Sequence, residues 1–331
     1  MKKTLLLVLS LFSVLVSCKK VDNKAVQRSS AGKINSLSVI ISDQLWNGEI
    51  GDSIRTKFAA PVDGLPQEEP LFTINQYPIK ALDGRIISRN IIIVKKEEKN
   101  AFKINENEFA QPQNVVHISG NSVAEILAHL EENADRIIQK FKNTEIAEHQ
   151  KIIEKSLLDD DRIQKKFKLS LKLPSSYNYV MEKRNFLWLK KEVLSGNTSI
   201  LIYKVPFKTI LKNDDVVNNI IRMRDSIGGM YIHSNVRNTK MITEESYSPY
   251  FLKTTIEGRR TYETKGTWEL KGDFMSGSFI NYAIMDKRKK KFIIIEGFCY
   301  APSTEKRDLM HELESIIKSL KVLKQDNAAP N

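Results

Sequence analysis

The sequence predicts an α+β fold built as two sheet-plus-helix domains. Three observations carry this. Apolar runs of strand length recur ("SLSVIIS", "NIIIVKK", "KFIIIEGFCY"), the stretch from residue 122 toward 158 carries a long helical stripe, and part of the second half alternates apolar with polar residues. With 331 residues the chain has room for two domains that each bury a core. Hydrophobic residues make up 41% and charged residues 28%, a globular balance that excludes collagen-like and disordered chains.

The chain start has another character. Lys2 and Lys3 precede an apolar run over 5–16 that only Ser10 and Ser13 interrupt. A spanning helix needs about 20 apolar residues, so the run reads as a signal-peptide core. Leu15-Val16-Ser17-Cys18 resembles the bacterial lipobox. That resemblance implies diacylglycerol on the Cys18 thiol, cleavage before Cys18, and acylation (palmitate-type) of the new amino group. Each buried CH₂ contributes ~0.8 kcal/mol, so two or three chains hold a protein on a membrane where one does not. The expectation is a lipoprotein signal peptide over 1–17, then lipidated Cys18 and a flexible polar tether over 18–35. The competing reading is an ordinary secretory leader. Lys19-Lys20, rather than an acidic cluster, follow the cysteine. By analogy with bacteria that have two membranes, this points to the periplasm-facing side of the outer membrane. With Cys18 acylated, Cys299 has no intramolecular partner, and its apolar surroundings predict a buried, inert thiol.

Elements follow in order. Residues 36–42 read as a buried strand. Asn47 then caps a helix with Ile50, Ile54 and Phe58 inward, and Pro61 closes it. "GLPQEEP" (64–70) is a proline-stiffened loop, and "LFTINQY", "NIIIVKK" and "NVVHIS" are strands. Ser122 with Glu125 has capping-box spacing and opens the long helix, whose stripe includes Ile126, Leu130, Ile137 and Phe141; Glu132 and Arg136 form an i,i+4 pair. "DDD" (159–161) marks the boundary between an N-terminal α/β domain (36–160) and a C-terminal α+β domain (161–323). There, "KFKLSLKLP" alternates with Phe167, Leu169, Leu171 and Leu173 inward, which predicts an antiparallel strand with one wet face. "YNYVMEK", "NFLWLKKEV" and "TSILIYKVPF" continue the sheet. A helix starts at Asp214 or Asp215 and ends on Gly228-Gly229 as a left-handed cap. "YFLKTTIEGRRTYET", "GTWELKG", "GSFINYAIM" and "KFIIIEGFCY" read as a meander of four strands. A last helix spans about 303–320, and 324–331 is a frayed tail. The regular βαβ alternation of a doubly wound sheet is not evident in either half. In element order alone the C-terminal half is loosely similar to PsbP-like domains.

Complete catalytic motifs are missing. No two of the five histidines stand at i,i+4, and "HELES" has Ser315 where a metalloprotease needs its second histidine, so no metal is expected and His311 reads as a helix-surface residue. There is no G-x-S-x-G elbow and no phosphate-cradling glycine motif, so no cofactor and no catalytic residue are assigned. The formal charge is +12, or +10 once Lys2 and Lys3 leave with the leader, and favours anionic surroundings such as headgroups or wall polymers. "DKRKKKF" (286–292) is the strongest basic run. Lacking interleaved aromatics, it reads as a solvated hairpin turn rather than a nucleic-acid platform, with contact to headgroups or wall polymer as the functional alternative.

The most unusual stretch, 43–72, clusters Trp46, Asp52, Gln67, Glu68, Glu69 and Phe72 around a short helix and the proline loop. Packing of Trp46 and Phe72 with solvated acids is the ordinary reading. The strings Trp46-Asn47-Gly48-Glu49-Ile50-Gly51-Asp52, Gly64-Leu65-Pro66-Gln67-Glu68-Glu69-Pro70-Leu71-Phe72, Arg89-Asn90, Arg224-Asp225-Ser226 and Tyr300-Ala301-Pro302 resemble a Bacteroidota (flavobacterial-type) lipoprotein family of unknown function, domain of unknown function 4837. Over nearly the whole mature chain the resemblance implies an envelope lipoprotein and transfers no catalytic residue. Two functions follow. One is non-catalytic binding or scaffolding of an envelope protein or wall component, with Trp46, Asp52, Gln67, Glu68 and Glu69 as the candidate surface. The alternative is a hydrolase of wall or surface glycans using Glu68 or Glu69 with Asp52.

Overall fold

The computed structural model describes residues 28–83 and 86–323. The predicted signal peptide, Cys18, the first part of the tether and the tail lie outside the described residues. Within them the order is β1 (Ser36–Ile40), α1 (Asp43–Trp46), α2 (Glu49–Phe58), β2 (Thr73–Tyr77), β3 (Asn90–Lys96), β4 (Ala101–Glu106), β5 (Asn114–Gly120) and α3 (Val123–Ile153). The second half runs α4 (Asp161–Phe167), β6 (Leu169–Ser170), β7 (Asn178–Lys183), β8 (Phe186–Val193), β9 (Gly196–Pro206), α5 (Phe207–Leu211) and α6 (Val216–Tyr231). It continues with β10 (Lys240–Thr243), β11 (Tyr250–Ile256), β12 (Arg259–Lys271), β13 (Ser276–Asp286), β14 (Lys291–Tyr300), α7 (Arg307–Lys318) and β15 (Lys321–Val322). No helix among the described residues is long and apolar enough to cross a membrane. The fold class is α+β.

The N-terminal sheet has the order β2-β1-β3-β5-β4. The β1/β2, β1/β3 and β3/β5 ladders are parallel and only β4/β5 is antiparallel. This half is therefore more parallel than its element pattern suggests. The reason is the β2–β3 crossover, which uses a single 3₁₀ turn (Ile79–Asp83) where a helix would have announced a βαβ unit. Helices α2 and α3 cover one face, burying Ile50, Ile54, Phe58, Ile126, Leu130, Ile137 and Phe141 against Leu37, Val39, Ile92 and Val116. Ser122 Oγ accepts from Glu125 N at 3.2 Å, so α3 starts where its sequence says, and the Glu125 carboxylate turns back to Asn121 N at 3.1 Å.

The C-terminal sheet is antiparallel throughout, in the order β10-β12-β13-β14-β9-β8-β7, with β11 also paired to β12. Alternation along its strands feeds two apolar layers. Ile280, Tyr282, Ile284, Ile293 and Ile295 pack under Leu313, Ile316 and Ile317 of α7, while Phe279, Ala283, Phe292 and Ile294 pack toward Ile210 and Ile220 of α5 and α6.

Three local expectations are corrected. The segment 161–167 is helical, so Phe167 ends α4 and only Leu169 and Ser170 of the expected strand pair, with β15. Lys168 supplies the left-handed cap there, at φ 60°. Helix α6 does not stop at Gly228-Gly229 but continues to Tyr231. Gly228 is there for closeness, since a Cβ would meet the Met241 carbonyl at 2.8 Å. "RRTYET" and "GTWELKG" form one strand, β12, with the hairpin turn at Glu257-Gly258.

A buried ion pair fastens α6 to the sheet. Arg224 Nε and Nη2 donate to Glu296 at 2.9 and 2.8 Å, Asn281 donates to the same carboxylate at 2.7 Å, and the guanidinium lies over the Phe279 ring. Arg224→Met leaves Glu296 charged, dry and short of its partner. Loss of one member of such a pair costs about 3–5 kcal/mol. We expect that loss as a lower urea midpoint for the Arg224→Met protein; an unchanged midpoint contradicts the assignment.

Candidate functional site

The sequence-selected stretch splits into an inner and an outer part. Trp46 is half-buried at the edge of the N-terminal core. The Arg55 guanidinium covers its ring at 4.6 Å, donates to the Trp46 carbonyl at 3.3 Å and pairs with exposed Asp52 at 2.6 Å. Gly51 permits this turn, because a Cβ would stand 1.8 Å from the Trp46 carbonyl oxygen. Phe72 is fully buried, as its ordinary reading has it. Gln67 and Glu68 are exposed.

Glu69 behaves differently from its neighbour. It is buried, and its carboxylate accepts from Lys306 N at 2.7 and 3.0 Å and from Arg307 N at 2.7 Å. These amides open α7, which has no capping side chain of its own. A carboxylate from 237 residues away therefore does the work of an N-cap. Arg307 reciprocates by donating to the Pro70 carbonyl at 3.1 Å and to Thr73 Oγ1 at 3.0 Å. The solvated reading holds for Glu68 and fails for Glu69. With three bonds from two backbone amides on its oxygens, Glu69 is committed to the start of α7, and Asp52 is paired with Arg55.

A cleft at the end of the C-terminal sheet gathers cations. It measures about 790 Å³ and lies between the β11–β12 turn, the β13–β14 turn and the segment after α4. Lys168, Lys253, Arg259, Arg260, Lys287, Arg288 and Lys289 line it, against a single acid, Asp286, which sits 3.8 Å from Arg259. The run 286–292 is indeed a hairpin turn, with Asp286 opposite Lys291, but it is also one wall of this cleft. Phe167, Met285 and Ile293 form an apolar floor. On a neighbouring strand, Lys204 lies over the Phe167 ring. Burial, with Lys289 and Lys291 nearby, holds its ammonium below the usual lysine range.

Other sequence candidates fall to the core. Cys299 is buried and burial pushes its thiol up to about 11, as expected of an inert thiol. His311 is not a surface residue. It is buried, stacks on His149 with centroids 5.3 Å apart, and burial pushes it down to about 4. Among the described residues no group of three His, Cys, Asp or Glu could hold a metal.

Sequence reasoning missed the two charge assemblies because each joins segments far apart in the chain. Lys168, Lys253 and Lys287 are separated by dozens of residues. The signal that could have been used is the pair of turns: Gly258 with Arg259-Arg260, and "KRKK", stand at the ends of adjacent hairpins.

In comparisons with known proteins, each half is similar to a family whose function is unknown. Residues 156–319 match the family described as "Domain of unknown function (DUF4837)", and residues 30–154 match "Domain of unknown function (DUF8532)". The resemblance drawn over nearly the whole chain thus divides, with the strings around Trp46, Glu69 and Arg89 in the second family's span. No curated protein matches. Among solved structures, the Ran-binding protein Mog1p of Saccharomyces cerevisiae is 10% identical, with 47% of this chain and 91% of that one covered at a TM-score of 0.32. Cyanobacterial PsbP from Synechocystis sp. PCC 6803 is 12% identical, with 47% and 86% covered at a TM-score of 0.31. At such identities and scores, what those proteins bind does not transfer.

The Glu69 contact can be tested against its neighbour. Glu69→Ala uncaps α7, and hydrogen bonds to a charged group contribute about 1.5–3 kcal/mol. Amide exchange at Lys306 and Arg307 is expected to accelerate and the urea midpoint to fall, while Glu68→Ala stays within about 0.5 kcal/mol of the parent. Equal behaviour of the two variants rejects the cap.

Proposed function

We propose that the chain is a non-catalytic, lipid-anchored protein of the bacterial cell envelope, moored through Cys18 to the outer membrane on its periplasmic side, whose basic cleft binds an anionic polymer of the wall. One observation carries the binding part: seven lysines and arginines line a cleft of about 790 Å³ that contains one carboxylate. Like charges held together at a sheet end repel one another, and a bound polyanion relieves that repulsion. The anchor rests on the lipobox-like Leu15-Val16-Ser17-Cys18 and the basic, apolar leader before it. Gln67 and Glu68, exposed on the proline loop, remain as a second contact surface for an envelope protein.

Two experiments test the two parts. For the cleft, protein is co-sedimented with purified peptidoglycan sacculi at about 0.05 M and about 1 M salt, where the Debye length shortens to ~3 Å. Pelleting is expected at low salt, and is expected to weaken at least about tenfold in Arg260→Glu/Lys289→Glu, each cation near an anionic surface contributing ~1 kcal/mol. Phosphatidylglycerol vesicles form the second arm: pelleting with vesicles but not with sacculi assigns the cleft to headgroups, and pelleting with neither overturns it.

For the anchor, intact mass spectrometry of protein from native membranes is expected to show a chain that begins at a diacylglyceryl-modified Cys18. A free thiol at that position, or another start, removes the anchor.

A further inference from the structure

A second cavity, which adjoins the basic cleft at Thr254, opens where β11 faces helix α3. It measures about 360 Å³, and its walls come from both halves of the molecule: Gln139 and Lys142 from α3, Tyr250 and Leu252 from β11, and Glu314 and Lys318 from α7. Glu263 and Lys265 of β12 form the floor. Their cross-strand partners are Leu252 and Tyr250, so all four side chains project on the same face of the sheet.

The floor charges satisfy one another. Lys265 Nζ lies 2.9 Å from Glu263 and 3.4 Å from Glu314, and Lys318 Nζ lies 2.5 Å from Glu314. The surrounding ammonium groups hold the Glu314 carboxyl well below the usual carboxylate range, against the opposing effect of its burial. The two acids raise Lys265 above the usual lysine range in the same way, against desolvation. Lys142 is left over. Among the described residues no hydrogen bond or ion pair reaches its ammonium group. Burial first, and then the repulsion of Lys265 and Lys318, push its pKa down against the attraction of Glu314 and Glu263. Asp63 is exposed at the mouth and makes no ion pair with it.

At the lip of this charged cavity stand two exposed apolar side chains, Tyr250 at 55% and Leu252 at 58%. Together they give the charged cavity an apolar edge, and a half-buried cation without a hydrogen-bond partner costs stability. The two features are complementary to one kind of molecule. We infer that this cavity binds a small amphiphile with a single anionic head, which pairs with Lys142, and an alkyl or similarly apolar tail, which lies along Tyr250 and Leu252. The volume falls within the range of small-molecule pockets. Glu263 and Glu314 are engaged by Lys265 and Lys318, and the third acid of the lining, Asp63, points to the exposed mouth, so Lys142 is the ammonium group left to pair with an anionic head. None of the charged residues that line it lines the basic cleft.

Decanoate and decyl phosphate, each below its micellar concentration, supply the two forms of head, and neutral decyl maltoside supplies the tail alone. Isothermal calorimetry on the purified full chain is expected to show one site for an anionic probe. Affinity is expected to drop at least about tenfold in Lys142→Met and to survive in Lys142→Arg. Leu252→Ser is expected to weaken the anionic probe several-fold without making the site accept decyl maltoside, and Arg260→Glu/Lys289→Glu to leave binding unchanged. Whichever anionic probe binds more tightly identifies the head as carboxylate or phosphate. Circular dichroism and urea unfolding accompany each variant. Lys142→Met removes an unpaired half-buried charge and is expected to fold at least as stably as the parent. Equal binding of probe to parent and Lys142→Met, equal binding of decyl maltoside, or no binding by either anionic probe overturns the proposal.

Discussion

The Glu69 carboxylate on the first amides of α7 is the contact on which the arrangement of the two halves depends. Helix α7 is the lid of the C-terminal sheet, and its outer side faces α3 of the other half. Holding the start of α7 from a loop of the N-terminal half fixes that helix in both bodies at once. Further bonds then follow along it. Asn35 donates to Asp308, Gln150 donates to the Ser315 carbonyl, and His149 stacks on His311. The apolar layer under α7 also takes Ile153 from α3 and Leu65 from the proline loop, but such contacts are not directional. Bonds to backbone amides are, because they weaken steeply with misalignment.

A second buried carboxylate braces the N-terminal half beside that joint. Glu145, on α3, accepts from Arg89 at 2.8 Å, from Asn90 at 2.6 Å and from Asn35 N at 3.2 Å, with no exposure to solvent. Its partners are the end of the connection into β3, the start of β3 and the residue before β1. The chain thus places charges in dry positions only where several donors converge, as burial demands. Lys142, one turn earlier on the same helix, breaks that rule, and it does so beside a cavity.

Much of the fold was legible in local pattern. The capped start of α3, the stripe that buries it and most antiparallel strands of residues 178–300 follow from periodicity, although β10 escapes that reading and β12 reads as two strands. What failed was local pattern read without partners. The alternation of Phe167, Leu169, Leu171 and Leu173 fits a strand, yet Phe167 is reached by the last turn of α4, and all four are buried by α7 and the sheet rather than by strand pairing. The site was less legible. Two adjacent glutamates look alike in sequence, and only the arrival of α7 from 237 residues away separates Glu69 from Glu68. Nothing near Lys142 in the chain announces Lys265 or Lys318, because those neighbours come from another half of the molecule.

The unbroken run of β12 from Arg259 to Lys271 has a consequence for heredity. Its odd-numbered residues Thr261, Glu263 and Lys265 face α7, its even-numbered Tyr262, Trp268 and Leu270 enter the opposite apolar layer, and its first two arginines edge the basic cleft. Adding or deleting a single residue near that end would exchange the two faces and displace the arginines together. The lineage can therefore alter these positions by substitution, one side chain at a time, while changes in length are confined to the turns beyond the strand's ends.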